Sequence, residues 1–557
     1  MAKKQKSAVA SPTKERPIQD KPEKAPAAIG GRERAQAFLT CHSKAIFVVL
    51  VAIASIRIIS TYWVFNHTID EPAHIACGME WLDKHVYRYE PQHPPLSRVM
   101  AALGPYLSGE HSWGKKGIYN EGAAILYARN HYDRVLALAR LGILPFFWLG
   151  CVVIYWWTRR SFGEPAAFFA TFFFTFLPPI LAHAGLATTD MALTATFGAA
   201  FLAMLLWLER PSWTRSAWFG VALAAAILSK FSVFAFFPSA VLAAFIVYCV
   251  LERPTFGSLI EIAKPRILPL GLAALVTVIL VWAGYRFSFN GVPAPELWQG
   301  IRDVMEHNAK GHPGYLLGEY RETGWWYYYP VVLAVKTPLA LLALFVVGAM
   351  LCWKRRRDAN GVYWIPAAFV AGILIFAAFS RINIGVRHVL PVYFGISIIA
   401  ALGACQLWSS KSAAAHWTLA GLMLWMVATS VLAHPDYLPY FNAIAGNQPE
   451  KILVDSDLDW GQDMKRLSAR LREVGAQEVY FNPFISAFLE AVHGFPPIHP
   501  LDPQEPSPGW NAVSLTPLKL DRLGLKRTYL DFKLWPDEIP PRERVGKSVL
   551  LYYFPPK

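Results

Sequence analysis

Apolar stretches of spanning length recur along this chain and constrain its fold more than any other feature. Because about 20 consecutive apolar residues cross a bilayer as a helix, this pattern is typical of an α-helical polytopic membrane protein. We predict about 11 transmembrane helices, over residues 44–65, 136–157, 165–186, 191–208, 214–230, 231–251, 268–288, 328–352, 361–379, 388–408 and 417–433. The count depends on dividing the long stretch 214–251 at Ser229-Lys230-Phe231.

The charges of the short loops predict the orientation of these helices. Basic clusters lie at Thr158-Arg159-Arg160, Glu209-Arg210, Glu252-Arg253, Lys264-Pro265-Arg266 and Lys354-Arg355-Arg356-Arg357. Since short basic loops stay in the cytoplasm, the N-terminus is expected inside, and an odd helix count places the C-terminal region outside. The net charge of +14 is then explained by cations in the N-terminal tail and the cytoplasmic loops, and we expect no nucleic-acid partner.

The remaining segments define three predicted regions. Residues 1–43 are basic, rich in Pro and Ala and without an apolar run, so they are expected to be a disordered cytoplasmic tail. Residues 44–433 form the transmembrane domain, with extracytoplasmic loops at 66–135 and 289–327. Residues 434–557 alternate strand and helix patterns, which predicts a small extracytoplasmic α/β domain.

Within this last region we expect strands at Lys451–Asp455, Glu478–Asn482, 511–516 and 548–554, and a helix at Trp460–Val474.

The acidic pair Asp70-Glu71 follows the first apolar segment closely. Ionisable residues where a helix leaves the bilayer are costly and mark a functional site by default. Two adjacent carboxylates at such a place suit a general base with a partner that orients the acceptor. The alternative is a helix N-terminus, where the helix dipole favours acidic residues.

Further ionisable residues are predicted on the same side of the membrane. They are His93 in the first loop, Asp190 between the third and fourth helices, Lys230 between the fifth and sixth, and Arg381, Arg387 and His388 between the ninth and tenth. Carboxylates can deprotonate a hydroxyl, and cations can neutralise a phosphate leaving group. Each also has a structural alternative: a helix cap for Asp190, snorkelling for Lys230, an interfacial anchor for Arg387-His388 and a turn at His93-Pro94-Pro95.

Three weaker features lie nearby. The aromatic run Gly324–Pro330 is interpreted as an interfacial belt, or else as a platform that stacks on lipid or sugar. Lys336, two turns further on, is a candidate phosphate contact. The acidic run Asp455–Gly461 has the glycine one place late for a calcium loop, so Asp459 is better explained as a helix cap.

The motifs resemble a known superfamily. Asp70-Glu71, His93-Pro94-Pro95, Asp190-Met191 and Ser229-Lys230 resemble the GT-C glycosyltransferases, in particular the protein O-mannosyltransferases of glycosyltransferase family 39 and the lipid A aminoarabinose transferases. The later runs Gly324–Pro330, Val335–Pro338, Asn383–Pro391, Asp436–Asn442 and Val454–Met464 are similar to bacterial members of that superfamily.

This resemblance implies a bacterial inner-membrane, multi-pass enzyme. It would transfer a sugar, with inversion, from a polyprenyl-phosphate donor to a hydroxyl of a protein, lipid or glycan outside the cytoplasm. Asp70 would be the catalytic base with Glu71 beside it, and Asp190 a second acidic contact. Lys230 and Arg387 would hold the phosphate, helped by His93, Lys336, Arg381 and His388. Mannosyl, other hexosyl and pentosyl donors remain open.

The resemblance implies no obligatory cofactor. Some relatives bind a divalent metal, for which His93 and Glu71 would be the candidate ligands, although no metal-ligand spacing demands one. The chain has no room for the large β-trefoil insertion of the eukaryotic O-mannosyltransferases. Two other functions stay open: a transporter or flippase of lipid-linked sugars, and a surface-polysaccharide ligase.

Overall fold

A computed structural model describes residues 31–358, 361–485, 487–521 and 534–556 of the protein. Its helices are α1 (Gly31–Ser60), α2 (Glu71–Met79), α3 (Pro95–Leu107), α4 (Ile118–Tyr127), α5 (Tyr132–Leu141), α6 (Leu144–Phe162), α7 (Glu164–Phe176), α8 (Pro178–Ala184), α9 (Asp190–Glu209), α10 (Trp213–Ser229), α11 (Val233–Glu252), α12 (Phe256–Ala263), α13 (Ile267–Gly284), α14 (Pro295–Lys310), α15 (Tyr328–Lys336), α16 (Leu339–Lys354), α17 (Ile365–Ala377), α18 (Val392–Ser409), α19 (Ala413–Leu432), α20 (Met464–Glu473), α21 (Leu489–His493) and α22 (Trp535–Glu538).

The strands are short and lie after the midpoint of the chain. They are β1 (Phe289–Asn290), β2 (Val292–Pro293), β3 (Gly314–Leu316), β4 (Glu319–Arg321), β5 (Val479–Phe481), β6 (Ile498–His499), β7 (Gly509–Ser514), β8 (Glu543–Val545) and β9 (Val549–Phe554).

Each of the predicted spans coincides with helical structure. Among the described residues, 7 helical stretches have the length and apolar composition of a membrane span, and two bent helix pairs bring the number to 9. The other two predicted segments are α10 and α17, with 17 and 13 residues. The chain is therefore a multi-pass α-helical membrane protein. The predicted division at Lys230 is confirmed, because α10 ends at Ser229 and α11 begins at Val233.

Two spans that were predicted as single helices are broken. The helix over 165–186 bends by 63° between α7 and α8, and the helix over 328–352 bends by 116° between α15 and α16. A proline follows each break, at Pro178 and Pro338. Since proline disfavours a helical conformation in the residue before it, the chain turns at Leu177 and Thr337. These bends bring α8 and α15 into the region of the candidate site.

The predicted boundaries need correction in two other places. Helix α1 begins at Gly31, so residues 31–43 are helical although they were assigned to the disordered tail, and residues 1–30 lie outside the described residues. The predicted loops also contain regular structure. Residues 66–135 hold α2, α3 and α4, and residues 289–327 hold α14 with two small hairpins.

The C-terminal domain is a small α/β unit, as predicted. Its sheet has the order β6-β5-β7-β9-β8, in which β5 runs parallel to β6 and β7, and β9 runs antiparallel to β7 and β8. Helix α20 covers one face through Met464 and Leu467. The opposite face packs on Val454 and Leu458. The predicted strand Lys451–Asp455 is wrong, because 3-10 turns occupy Pro449–Lys451 and Asp455–Asp457.

Candidate active site

Two carboxylate–cation pairs form the centre of the candidate site. Arg387 Nη1 donates to Asp70 Oδ2 at 2.8 Å, and Lys230 Nζ donates to Asp190 Oδ1 at 2.6 Å. Asp190 also interacts electrostatically with Arg387, so the two pairs share one neighbourhood. The side chain of Asp70 is 26% exposed, whereas that of Asp190 is 1% exposed. Asp70 is therefore the carboxylate that a substrate can reach.

Three members of these pairs lie at helix ends, and the fourth, Arg387, lies in the 3-10 turn Val386–Val389. Asp70 directly precedes α2, Asp190 is the first residue of α9, and Lys230 follows the last residue of α10. The carboxylates of Asp70 and Asp190 do not cap their helices. Their side chains turn to the cations instead, so the helix-cap explanation for Asp190 and the snorkelling explanation for Lys230 do not fit the structure.

The turn that carries Arg387 is fixed by a close backbone approach. Gly385 has φ +107°, a value that favours glycine, and a Cβ added there would lie 2.6 Å from Ser456 Oγ. Ser456 Oγ donates to the Ile384 carbonyl at 2.5 Å, and the Val386 N–H donates to Asp457 Oδ1 at 3.1 Å. The acidic run of the C-terminal region therefore holds the Arg387 turn directly.

The aromatic run at the start of α15 supports the same turn. The Gly385 N–H donates to the Tyr328 hydroxyl at 2.9 Å, and the Tyr329 hydroxyl donates to the Ile382 carbonyl at 3.0 Å. Both tyrosines are buried, whereas Trp326 is 72% exposed. Tyr328 and Tyr329 thus have a structural role that neither sequence interpretation included.

Glu71 is committed to structural contacts. Its carboxylate accepts hydrogen bonds from Nε and Nη2 of Arg140, both at 2.8 Å. It also accepts from the backbone N–H groups of Thr68 at 2.8 Å and Ala187 at 2.9 Å. Burial alone would raise the pKa of Glu71, but the Arg140 guanidinium and these hydrogen bonds lower it below the ordinary value. Glu71 therefore stays ionised and fixes the backbone next to Asp70, which corrects its predicted place as a reacting partner.

His93 belongs to a second buried network. Its Nδ1 lies 3.7 Å from Glu90 Oε2, and its ring contacts that of His74 at 5.4 Å between centroids. Glu90 is in turn paired with the buried Arg98. Burial lowers the pKa of His93 below the ordinary value. In the absence of a ligand, the His93 ring therefore favours its neutral form at neutral pH.

The remaining predicted cations divide between the site and its surroundings. Lys336 donates to the carbonyls of Leu438 and Asp457, both at 2.7 Å, and is 1% exposed, so it does not reach a phosphate. Arg381 is exposed and donates to the Ala309 carbonyl at 3.1 Å. His388 lies near Lys230 and Arg387, and burial together with these two cations holds its pKa well below the usual range.

The described residues contain no group of three or more His, Cys, Asp or Glu side chains that could hold a metal ion. Glu71 and His93, the candidate ligands, have separate partners in Arg140 and Glu90.

Sequence reasoning missed several residues that shape the site. Arg140 could have been found, because it lies inside a predicted span, where a charged residue is expensive. Trp460, whose ring lies 4.2 Å below the Arg387 guanidinium, carried no such signal. Asp455 was considered as the end of a strand and as part of a calcium loop, but not as a site residue, yet it interacts electrostatically with Arg387 and Asp70.

Comparison with known proteins gives the fold. A family model described as dolichyl-phosphate-mannose-protein mannosyltransferase matches residues 138–282, a stretch that includes Asp190 and Lys230. No curated protein matches the chain. Among solved structures, ArnT from Cupriavidus metallidurans bound to undecaprenyl phosphate is similar with a TM-score of 0.51 and 19% identity, over 72% of this chain and 67% of that chain. The chain has the GT-C fold.

A second similar structure is the archaeal oligosaccharyltransferase AglB from Archaeoglobus fulgidus, in complex with an inhibitory peptide and a dolichol-phosphate. It has a TM-score of 0.44 and 12% identity, over 70% of this chain and 56% of that chain. The predicted GT-C resemblance is confirmed for the chain, and the family-model match includes the motifs at Asp190 and Lys230. In this GT-C fold, the helix ends that carry Asp70, Asp190 and Lys230 meet the Arg387 turn.

Proposed function

We propose that this chain is a membrane glycosyltransferase that moves a sugar from a polyprenyl-phosphate donor to a hydroxyl acceptor, with inversion. The two carboxylate–cation pairs Asp70–Arg387 and Asp190–Lys230 carry this proposal. They place an acid–base group beside two cations at the end of an apolar bundle, which is where the headgroup of a membrane lipid lies. The similarity to ArnT, which was crystallised with undecaprenyl phosphate, supports a lipid-phosphate donor.

The cations have donors left for a phosphate. Arg387 uses Nη1 for Asp70 and Nε for the Ile384 carbonyl at 3.4 Å, while its Nη2 makes no hydrogen bond to the described residues. Lys230 has three N–H donors and uses one for Asp190. A phosphate placed between the two cations would receive charge-assisted hydrogen bonds from both.

The chemical step is a single displacement at the anomeric carbon. The acceptor oxygen forms a bond to that carbon while the bond to the phosphate oxygen breaks, and the electron pair leaves with the polyprenyl phosphate. Asp70 accepts the acceptor proton. Arg387 and Lys230 stabilise the charge that develops on the leaving phosphate. The lipid tail stays in the bilayer throughout.

We also propose that the reaction takes place on the extracytoplasmic side of a bacterial inner membrane. The helix ends opposite the site carry clustered cations, such as Arg159-Arg160 and Lys354–Arg357. Such clusters remain in the cytoplasm, so the site and the C-terminal domain face outward.

The test uses membranes that contain the wild-type protein and radiolabelled polyprenyl-phosphate mannose, glucose or aminoarabinose. We expect the wild-type protein to consume one of these donors and to release polyprenyl phosphate. Asp70→Asn should lower kcat by at least about 100-fold and leave donor binding unchanged. Lys230→Ala should mainly raise the KM for the donor.

Glu306→Gln, a change on the exposed face of α14, serves as the matched control. Full activity of Asp70→Asn would exclude Asp70 as the base. Movement of labelled lipid across the bilayer with no donor consumed would favour a transporter. If the protein consumes lipid-linked polysaccharide but none of the three polyprenyl-phosphate sugars, a ligase would be favoured.

A further inference from the structure

Asp455 carries a carboxylate that has no role in the displacement proposed above. It begins the 3-10 turn Asp455–Asp457 and has φ +58°, in the left-handed region. This conformation costs a residue other than glycine about 1–2 kcal/mol, so the surrounding structure must impose it. The Asp455 N–H donates to Thr516 Oγ1 at 2.8 Å, and its carbonyl accepts from the N–H groups of Leu458 and Asp459. The C-terminal domain therefore fixes this residue in place.

One oxygen of this carboxylate is open. Oδ1 accepts from the Ser456 N–H at 2.5 Å, and Oδ2 makes no hydrogen bond to the described residues. The residue is half-buried and Oδ2 is not enclosed. A half-buried carboxylate oxygen without a protein donor is available to a ligand.

The position of Asp455 relative to the site is set by two sets of contacts. Its turn is attached to the Arg387 turn through the hydrogen bonds of Ser456 and Asp457. The chain just beyond it is attached to the first loop, where the Ile69 N–H donates to the Trp460 carbonyl at 3.2 Å. Accordingly, Asp455 interacts electrostatically with both Arg387 and Asp70.

We propose that Asp455 is a second carboxylate of the transfer reaction, which shares with Asp70 the proton released by the acceptor hydroxyl. This inference rests on the proposed function and extends it to the C-terminal domain. Asp70 alone is neutralised by Arg387, which makes it a weak proton acceptor. With Asp455 present, the three interacting carboxylates of the site outnumber its two cations, and the negative charge in excess attracts the proton.

The atoms balance in this step. The acceptor O–H bond breaks, its oxygen forms the bond to the anomeric carbon, and the bond between that carbon and the phosphate oxygen breaks. The proton is held between the carboxylates of Asp70 and Asp455 until water removes it. The step is a substitution and needs no oxidant or reductant.

The acid–base behaviour of Asp455 fits this role. Burial raises its pKa to about 6, Arg387 opposes the rise, and Asp70 and Asp457 add to it. The other groups that interact with it are Asp459 on its own segment and Tyr328 at the start of α15. Since the acceptor of a proton must be ionised beforehand, kcat/KM should rise with pH and level off above about pH 6.

The test is the pH dependence of kcat/KM for the full-length protein in membranes, with whichever of the polyprenyl-phosphate mannose, glucose and aminoarabinose donors the wild-type protein consumes. Asp455→Asn and Asp455→Gly both remove the carboxylate, and both residues tolerate the left-handed backbone, so the fold should persist. We expect each to lower kcat/KM about tenfold or more at pH 7 and to move the acidic limb toward the range of an ordinary carboxyl. Affinity for polyprenyl phosphate should not change.

Glu505→Gln, in an exposed part of the same domain, is the control and should keep the wild-type profile. An active wild-type protein together with an unchanged limb in both Asp455 variants would overturn this inference and leave the proposed function standing. If the wild-type protein releases no lipid phosphate from any donor, the proposed function and this inference fail together.

Discussion

Adjacent residues can have opposite roles when their partners differ. Asp70 is partly exposed and has one cation, whereas Glu71 is fully buried with both oxygens bonded to Arg140. The bidentate Arg140 contact, together with the N–H groups of Thr68 and Ala187, ties the first loop to α5 and to the turn before α9. Glu71 is thus the support that holds Asp70 at the site.

This contact gives the first prediction. Glu71→Ala leaves the Arg140 guanidinium buried without its carboxylate. Because breaking a buried ion pair costs about 3–5 kcal/mol, we expect the free energy of unfolding to fall by that amount. Chemical denaturation of the detergent-solubilised protein would measure the loss. Glu209→Ala removes an exposed ion pair with Arg160 and should change stability by about 1 kcal/mol or less.

The same contact predicts a pH dependence. The folded protein lowers the pKa of Glu71, so the ion pair contributes its full stability at neutral pH and loses it as the pH falls through the lowered folded pKa. The difference in stability between the wild-type protein and Glu71→Ala should therefore shrink in acid. Denaturation curves at a series of pH values would check this, and a difference that grows in acid would contradict it.

The sequence identified the site's residues better than their roles. Asp70, Asp190, Lys230 and Arg387 could be singled out because charges at the ends of apolar segments are costly. The role of Glu71 could not be predicted, since its partner Arg140 is 69 positions away. Lys336 looked like a phosphate contact, but the carbonyls that bind it are 102 and 121 positions away. Long-range pairing of this kind leaves no local pattern.

At the scale of elements, the bend after α15 couples the membrane domain to the C-terminal segment. It points Lys336 at the carbonyls of Leu438 and Asp457. The Asp457 carboxylate in turn accepts from Val386, one residue before Arg387. A single buried lysine therefore connects the helix, the acidic run and the Arg387 turn.

This coupling gives another prediction. Lys336→Met removes the donor to two carbonyls, and each loss costs about 1–3 kcal/mol where the acceptor is buried. We expect faster amide hydrogen exchange in residues 455–460 and 384–388, with the exchange of α9 and α18 unchanged. Hydrogen-exchange mass spectrometry would measure it. Lys310→Met, at a site that is 79% exposed, should leave all of these segments as in the wild type.

The hydropathy pattern predicted where the helices lie but not where they break. All predicted spans are helical because the bilayer leaves the backbone no other way to satisfy its hydrogen bonds. The two breaks were missed although Pro178 and Pro338 were visible, since a proline in an apolar run predicts a kink but not its angle. The strand predicted at Lys451–Asp455 failed because Ser456 and Asp457 bind the Arg387 turn and bend the chain.

At the scale of the whole molecule, the helices alternate between two unlike ends. One end carries the ion pairs of the site, and the other carries basic loops whose cations are exposed, such as Arg159-Arg160. We expect a membrane-impermeant maleimide to label Glu505→Cys in intact cells and to spare Ser412→Cys until the membrane is permeabilised. Both changes would be made in a Cys41→Ser background, because Cys41 is exposed and the remaining cysteines are buried or half-buried.

The reverse labelling pattern would place the site in the cytoplasm and would contradict the proposed reaction of an outward-facing lipid. Labelling of both positions in intact cells would show that the membrane was damaged, and the parent Cys41→Ser protein, which should stay unlabelled, controls for this.

The first loop and the C-terminal segment are joined by direct hydrogen bonds. The Asn66 side chain donates to the Gly461 carbonyl at 2.6 Å and accepts from the Met464 N–H at 2.7 Å, across 395 and 398 positions of sequence. Because Gly461 and Met464 follow α19 in the chain, α1 to α19 are synthesised before these hydrogen bonds can form. In a newly made chain, the first loop and Asp70 therefore lack this support until the C-terminal segment has been made.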